Sequence, residues 1–106
     1  MKSRFSHNVE DDRILSVQGD LDVYSVADAI QQGRRLIRKN ESFTVIDLGQ
    51  VGKIDSAGLA FIIELMKVAK RQKKDLRFQN IPARMHDVAN VYGLSKIIPE
   101  SAFQPS

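Results

Sequence analysis

Ser56 is the residue of this chain best placed to do chemistry, and its neighbours decide which kind. It follows Asp55 and precedes Ala57, Gly58 and Leu59. Upstream runs a β-branched stretch, Thr44-Val45-Ile46-Asp47-Leu48, and downstream an apolar-periodic one. The hydroxyl therefore falls where a strand hands over to a helix, and the pattern predicts Ser56 as the N-cap. A hydroxyl on such a rigid junction suits recognition or a phosphate switch. It does not suit hydrolysis, because no Gly-x-Ser-x-Gly elbow surrounds it. The two histidines, His7 and His86, stand far apart in the chain with no companion ligand pattern. Asp20, Asp22, Asp47 and Asp55 raise the chemistry of a phosphoaspartate receiver. Asp47, however, is followed by Leu48 inside the strand pattern, and the chain is short for a five-unit doubly wound fold. No phosphate-binding lysine loop and no Gly-x-Gly-x-x-Gly after a strand is present. The expectation is a protein with no catalytic activity, no cofactor and no bound metal.

The composition narrows the class further. A length of 106 residues fits a single domain spanning 1–106, with its core at about 5–99 and a tail at 100–106 that is a short helix or disordered. The absence of cysteine excludes a disulfide framework, a thiolate zinc site and thiol catalysis. A formal net charge of +3 is too weak to argue for nucleic acid. No apolar run approaches the roughly 20 residues needed to cross a bilayer. The opening Met1-Lys2-Ser3-Arg4-Phe5 lacks the apolar segment of a signal peptide. A cytoplasmic protein without direct membrane insertion is expected. One local excess of charge stands out, at Lys67, Lys70, Arg71, Lys73 and Lys74. It reads as a solvated helix end, where cations suit the negative end of the helix dipole, or as a contact for an acidic partner or membrane surface.

The elements that must position these residues follow from periodicity. Short strands are predicted over 5–10 and 13–18, with Gly19-Asp20-Leu21-Asp22 as a turn. Val26, Ala27, Ile30, Gly33, Leu36 and Ile37 recur at helical spacing, so a helix is predicted over 24–38, with Gly33 allowing close packing on a sheet. A strand over 43–48, a short polar turn and a helix over 56–73 come next. A strand over 75–79, a helix opening at Pro82 and stopped at Gly93-Leu94, and a last short strand at Ile97-Ile98 complete the chain. Helices alternating with strands predict parallel pairing through right-handed crossovers, with the two opening strands antiparallel. The fold class is α/β: a single mixed sheet with helices packed mainly on one face.

On a helical wheel, Leu59, Ile62, Met66 and Ala69 define the buried direction of the second helix. Ala57, Phe61 and Val68 then group roughly 100–140° away, with Leu65 bridging. Two accounts compete. Phe61 and Val68 pack on a neighbouring helix, or they form a partner-binding patch beside Ser56, rimmed by Glu64, Lys67 and Arg71. Asp20 and Asp22 read as turn and cap residues.

Three segments, Gly19-Asp20-Leu21-Asp22, Val45-Ile46-Asp47-Leu48 and Ile54-Asp55-Ser56-Ala57-Gly58-Leu59, together resemble a STAS domain in order and spacing. The resemblance covers about 5–99 and implies the STAS fold. It also implies one of two non-catalytic functions. In anti-sigma-factor antagonists, the serine after the Asp is phosphorylated by an anti-sigma kinase, which the unmodified form binds. Ser56 occupies that position. In the other branch, a small STAS subunit binds the ABC ATPase of the Mla phospholipid transporter, which maintains outer-membrane lipid asymmetry. Ala60 after Gly58-Leu59, and Val88-Ala89-Asn90-Val91-Tyr92-Gly93-Leu94, bring the chain closer to this branch. The hydroxyl position there is commonly threonine followed by glycine, where this chain has Ser56-Ala57. In the family the loop of Asp20 and Asp22 lies near the hydroxyl junction, so the resemblance implies that one of them reaches the partner. Wheel and resemblance together give an expected partner surface of Asp55, Ser56, Ala57, Gly58, Phe61, Glu64, Leu65, Val68, Asp20 and Asp22. The domain would then sit peripherally at the inner membrane through its partner.

Overall fold

A computed structural model describes residues 4–8, 10–40, 43–94 and 96–99. The elements are β1 (Arg4–His7), β2 (Ile14–Leu21), α1 (Val26–Lys39), β3 (Phe43–Ile54), α2 (Ser56–Arg71), β4 (Asp75–Gln79) and α3 (Ala83–Val91). The strands form one four-stranded sheet in the order β1-β2-β3-β4. β1 pairs antiparallel with β2, whereas β2, β3 and β4 run parallel. Two consecutive crossovers of the same hand, β2-α1-β3 and β3-α2-β4, place α1 and α2 on the same face. Side-chain alternation agrees: Leu15, Ile46 and Phe78 are register neighbours on the helix side and fully buried. Ser16, Asp47 and Gln79 occupy matching positions on the other face.

β2 and β3 run further than the periodicity predicts, through the segments read as turns. The two strands stay paired to Gly19↔Val51 and Leu21↔Ile54, with a register shift between these pairs. At the shift the Asp20 carboxylate accepts the Lys53 amide at 2.8 Å, standing in for a ladder bond. Gly52 makes room for it, since a Cβ there would lie 2.8 Å from Asp20 Oδ1. Polar residues that look like turn formers are thus strand-end residues of a bulged ladder.

Ile97-Ile98 is not a strand. The Phe78 amide donates to the Pro99 carbonyl at 2.8 Å, but Pro99 has no N–H to return, so no ladder forms. Gly93 stops α3 as predicted: its φ is +70°, and the Leu94 amide donates to the Ala89 carbonyl at 2.8 Å. Gly33 packs on α2 and not on the sheet, because a Cβ there would meet Leu65 Cδ2 at 2.7 Å. The predicted tail at 100–106 lies outside the described residues.

Candidate functional site

The β2–α1 loop, the Asp55–Ser56 junction and the β4–α3 loop all leave the carboxyl ends of the parallel strands, the edge where open α/β sheets gather their sites. At the junction, Asp55 is the N-cap: its Oδ1 accepts the Ala57 amide at 2.8 Å. This corrects the assignment of the cap to Ser56. Ser56 is the first helical residue and exposed, and its hydroxyl makes no hydrogen bond with the described residues. Asp22 organises the loop before α1, accepting the Tyr24 and Ser25 amides at 3.0 and 3.1 Å. Ser25, itself buried, donates its hydroxyl to the Asp20 carbonyl at 2.6 Å. Asp22 thus has the turn task that the sequence suggested, whereas the Asp20 carboxylate ties β2 to β3. The Lys53 amide holds the Asp20 carboxyl below the usual carboxylate range.

The proposed exposed patch on α2 is overturned. Phe61 and Leu65 are fully buried, and Val68 is 3% exposed. The Phe61 ring lies 6.1 Å from the Phe5 ring of β1, and Leu65 fills the space over Gly33 of α1. α2 packs on the sheet and on its neighbour α1, so both groups of side chains on the wheel are buried. Gly58 is also buried, where a Cβ would meet Ile54 Cγ1 at 2.6 Å and Met85 Cε at 2.7 Å. It lets α3 approach α2. Glu64, half-buried, bridges Arg34 of α1 and Lys67, each at 3.4 Å. Of the ten residues predicted for the partner surface, Gly58, Phe61, Leu65 and Val68 position the site from inside.

The apolar surface beside Ser56 comes from elsewhere. A cleft of about 280 Å³ between α2 and the end of α3 is lined by Ser56, Leu59, Ala60, Ile63, Tyr92 and Leu94. It is smaller than ordinary small-molecule pockets of about 300–1,000 Å³. It holds no base to activate the hydroxyl, and it suits a protruding apolar side chain of a protein. On the other side of the junction a wider cleft is lined by Val23, Tyr24, Lys53, Asp55, Pro82 and Arg84, among others. The chain's two tyrosines therefore flank Asp55–Ser56, with Tyr24 93% and Tyr92 63% exposed. Sequence reasoning used Tyr92 and Leu94 only for a helix stop and a family likeness. The available signal was the run Ser56, Ala60, Ile63, Lys67, which repeats at helical spacing along one stripe at the edge of the core. Among the described residues no three His, Cys, Asp or Glu side chains converge to hold a metal ion.

A family model described as "Mlab, STAS domain" matches residues 5–99. The chain belongs to the STAS family. The intermembrane phospholipid transport system binding protein MlaB of Escherichia coli (strain K12) is 26% identical over 80 residues, covering 76% of this chain and 79% of that protein. The anti-sigma-B factor antagonist of Bacillus subtilis (strain 168) is 29% identical over 93 residues, covering 88% and 84%. Among solved structures, a chain of the Acinetobacter MlaFEDB complex in an ATP-bound conformation superposes with a TM-score of 0.69 at 26% identity, covering 85% of this STAS chain and 95% of that one. The unphosphorylated anti-sigma factor antagonist SpoIIAA superposes at 0.66 with 15% identity, covering 94% and 90%, and shares the fold. No helix among the described residues is long and apolar enough to cross a membrane.

Proposed function

We propose that this STAS domain is a non-catalytic regulatory subunit that binds the cytoplasmic ATPase of an Mla-type phospholipid ABC transporter and stabilises its active arrangement. Such a transporter maintains outer-membrane lipid asymmetry, and the domain would sit peripherally at the inner membrane through its partner. The observation that carries the reading is the exposed Ser56 set beside the apolar cleft of Ala60, Ile63, Tyr92 and Leu94, in a chain matched over 5–99 by a model described as Mlab. Exposed aromatics beside a small apolar cleft are typical of interface centres. A domain without chemistry raises turnover only by binding one conformation of its partner better than the others. Reconstitution tests this: removing the chain from the ATPase–permease assembly should lower ATP turnover or complex stability. Unchanged turnover and assembly would reject the reading.

A second reading, an anti-sigma-factor antagonist switched by phosphorylation of Ser56, is favoured by one observation. The hydroxyl is exposed at a helix N-terminus, where a phosphate gains from the dipole. It would also stand next to the Asp55 carboxylate and place about two negative charges at the mouth of an apolar cleft. Copurification from the native host separates the two: an ABC ATPase with its permease supports the first, and a small kinase-like anti-sigma protein supports the second.

A further inference from the structure

The exposed ends of α1 and α2 carry a charge pattern that neither reading uses. Arg35, Arg38 and Lys39 lie in the last turns of α1 and are exposed. Lys67, Lys70 and Arg71 lie in the last turns of α2 and are exposed as well. Both helices lie on one face of the sheet and pack against each other through Gly33 and Leu65, with Arg34 paired to Glu64 across the seam, so the two groups of cations lie on the same helical layer, one on each helix. The only acid in the C-terminal halves of the two helices is Glu64, already shared by Arg34 and Lys67. Lys74 is not part of this surface. Its ammonium donates to the carbonyls of Ile37, Arg38 and Asn40 at 2.8, 2.7 and 2.6 Å and caps α1.

We infer that this basic face of α1 and α2 is a docking surface for anionic phospholipid headgroups. The number of cations is in the range of about four to eight that marks binding to acidic lipid surfaces. The two basic clefts are lined by Gln31, Arg34, Arg35, Arg38 and Lys39, and by Lys67, Lys70 and Arg71. No aromatic ring is among them, so nucleic-acid bases find no stacking platform. Long cationic side chains spread over two helices fit a broad, laterally mobile layer of charge. Their aliphatic stems can lie along the interface while the heads reach phosphates. α2 has 16 residues and is therefore about 24 Å long, with Ser56 at one end and the cations at the other. The cations thus lie toward the opposite end of α2 from Ser56, and the inference does not depend on which protein binds at Ser56.

Cosedimentation of the full chain with vesicles tests this without any protein partner. Vesicles of phosphatidylcholine with about 30% phosphatidylglycerol should bind the chain, and pure phosphatidylcholine should not. Binding should vanish in about 1 M salt, where the screening length is about 3 Å. The combined Arg35→Glu, Arg38→Glu, Lys70→Glu and Arg71→Glu variant should lose at least about 100-fold in affinity. Arg35→Lys with Arg38→Lys and Arg71→Lys should bind as wild type does. Ser56→Glu should also leave vesicle binding unchanged. Equal binding to neutral vesicles, insensitivity to salt, or wild-type binding by the folded charge-reversed variant would overturn the inference. Equal or tighter binding to a polyglutamate peptide or duplex RNA at matched charge would overturn it in favour of those partners. If the reversed variant fails to fold, the salt and lipid-charge dependence of the wild type decides alone.

Discussion

Asp55 Oδ1 accepts the Ala57 amide at 2.8 Å, and this bond leaves Ser56, the next residue in the chain, without a structural task. The two neighbours are therefore separable by mutation. Asp55→Ala should lower stability by about 1 kcal/mol, the ordinary worth of an N-cap. Ser56→Ala should stay within about 0.5 kcal/mol of wild type, as surface substitutions do. Urea denaturation of the two variants checks both values. A large loss on Ser56→Ala would mean that the hydroxyl caps after all.

Phe61 and Tyr92 should behave in opposite ways. Phe61 is fully buried against Phe5, so Phe61→Ala should cost about 3–5 kcal/mol and abolish partner binding only through unfolding. Tyr92 is 63% exposed. Tyr92→Ala should leave the melting temperature nearly unchanged and weaken docking by about 2 kcal/mol, the scale of an aromatic anchor. Calorimetric melting, paired with titration against the partner, reads the two effects separately.

Much of this contrast could be read in the sequence, and the rest could not. The β-branched run through Thr44–Leu48, the spacing of Leu59, Ile62 and Ala69, and the Gly93 stop depend on local chemistry, and the fold carries all three. What the sequence left open was whether Phe61 and Val68 pack on a neighbour or form an exposed patch, and the structure buries them both. A wheel gives directions around a helix but not what lies in each direction. Whether α1 covers that side of α2 depends on Gly33 meeting Leu65, a contact between residues 32 positions apart. The turn at Asp20 failed for a similar reason: its carboxylate bonds to Lys53 across the ladder, and no local pattern reports that partner.

Lys74 differs from the other cations of its segment. It satisfies three carbonyls at the end of α1, groups that have no partner within the helix itself. Lys74→Met keeps the stem and removes the donors, and it should destabilise by about 1.5–3 kcal/mol, the range for charged hydrogen bonds. Lys70→Met should stay within about 0.5 kcal/mol of wild type. Thermal denaturation of the pair tests the assignment.

Asp20 should give a pH signature. Its folded pKa is depressed, chiefly by the Lys53 amide. The stabilisation is therefore present above the unfolded value of about 3.9 and is lost as pH falls through the lower folded value. Asp20→Asn keeps an acceptor but removes the titration. The wild-type advantage over this variant should be constant from neutral pH down to about 5 and shrink below about 4. Urea midpoints measured from neutral to acid pH would show the two curves converging. Parallel curves would show that Asp20 does not titrate with folding.

Gly58 ties the fold to the site. A Cβ at this position would lie 2.6 Å from Ile54 Cγ1 and 2.7 Å from Met85 Cε. Met85 is fully buried on α3, the helix that carries Tyr92 to the mouth of the Ser56 cleft. Gly58→Val must push α3 away from α2 or distort Ile54, at a cost of about 1–3 kcal/mol for an overpacked core. The displaced α3 would widen the gap between Ile63 and Tyr92, so docking should weaken even where the variant remains folded. Tyr92→Ala made on top of Gly58→Val should then cost less binding than it does alone, because the ring has already left its place. A double-mutant cycle on partner affinity measures that coupling. Additive losses would mean that Gly58 sets stability without setting the cleft.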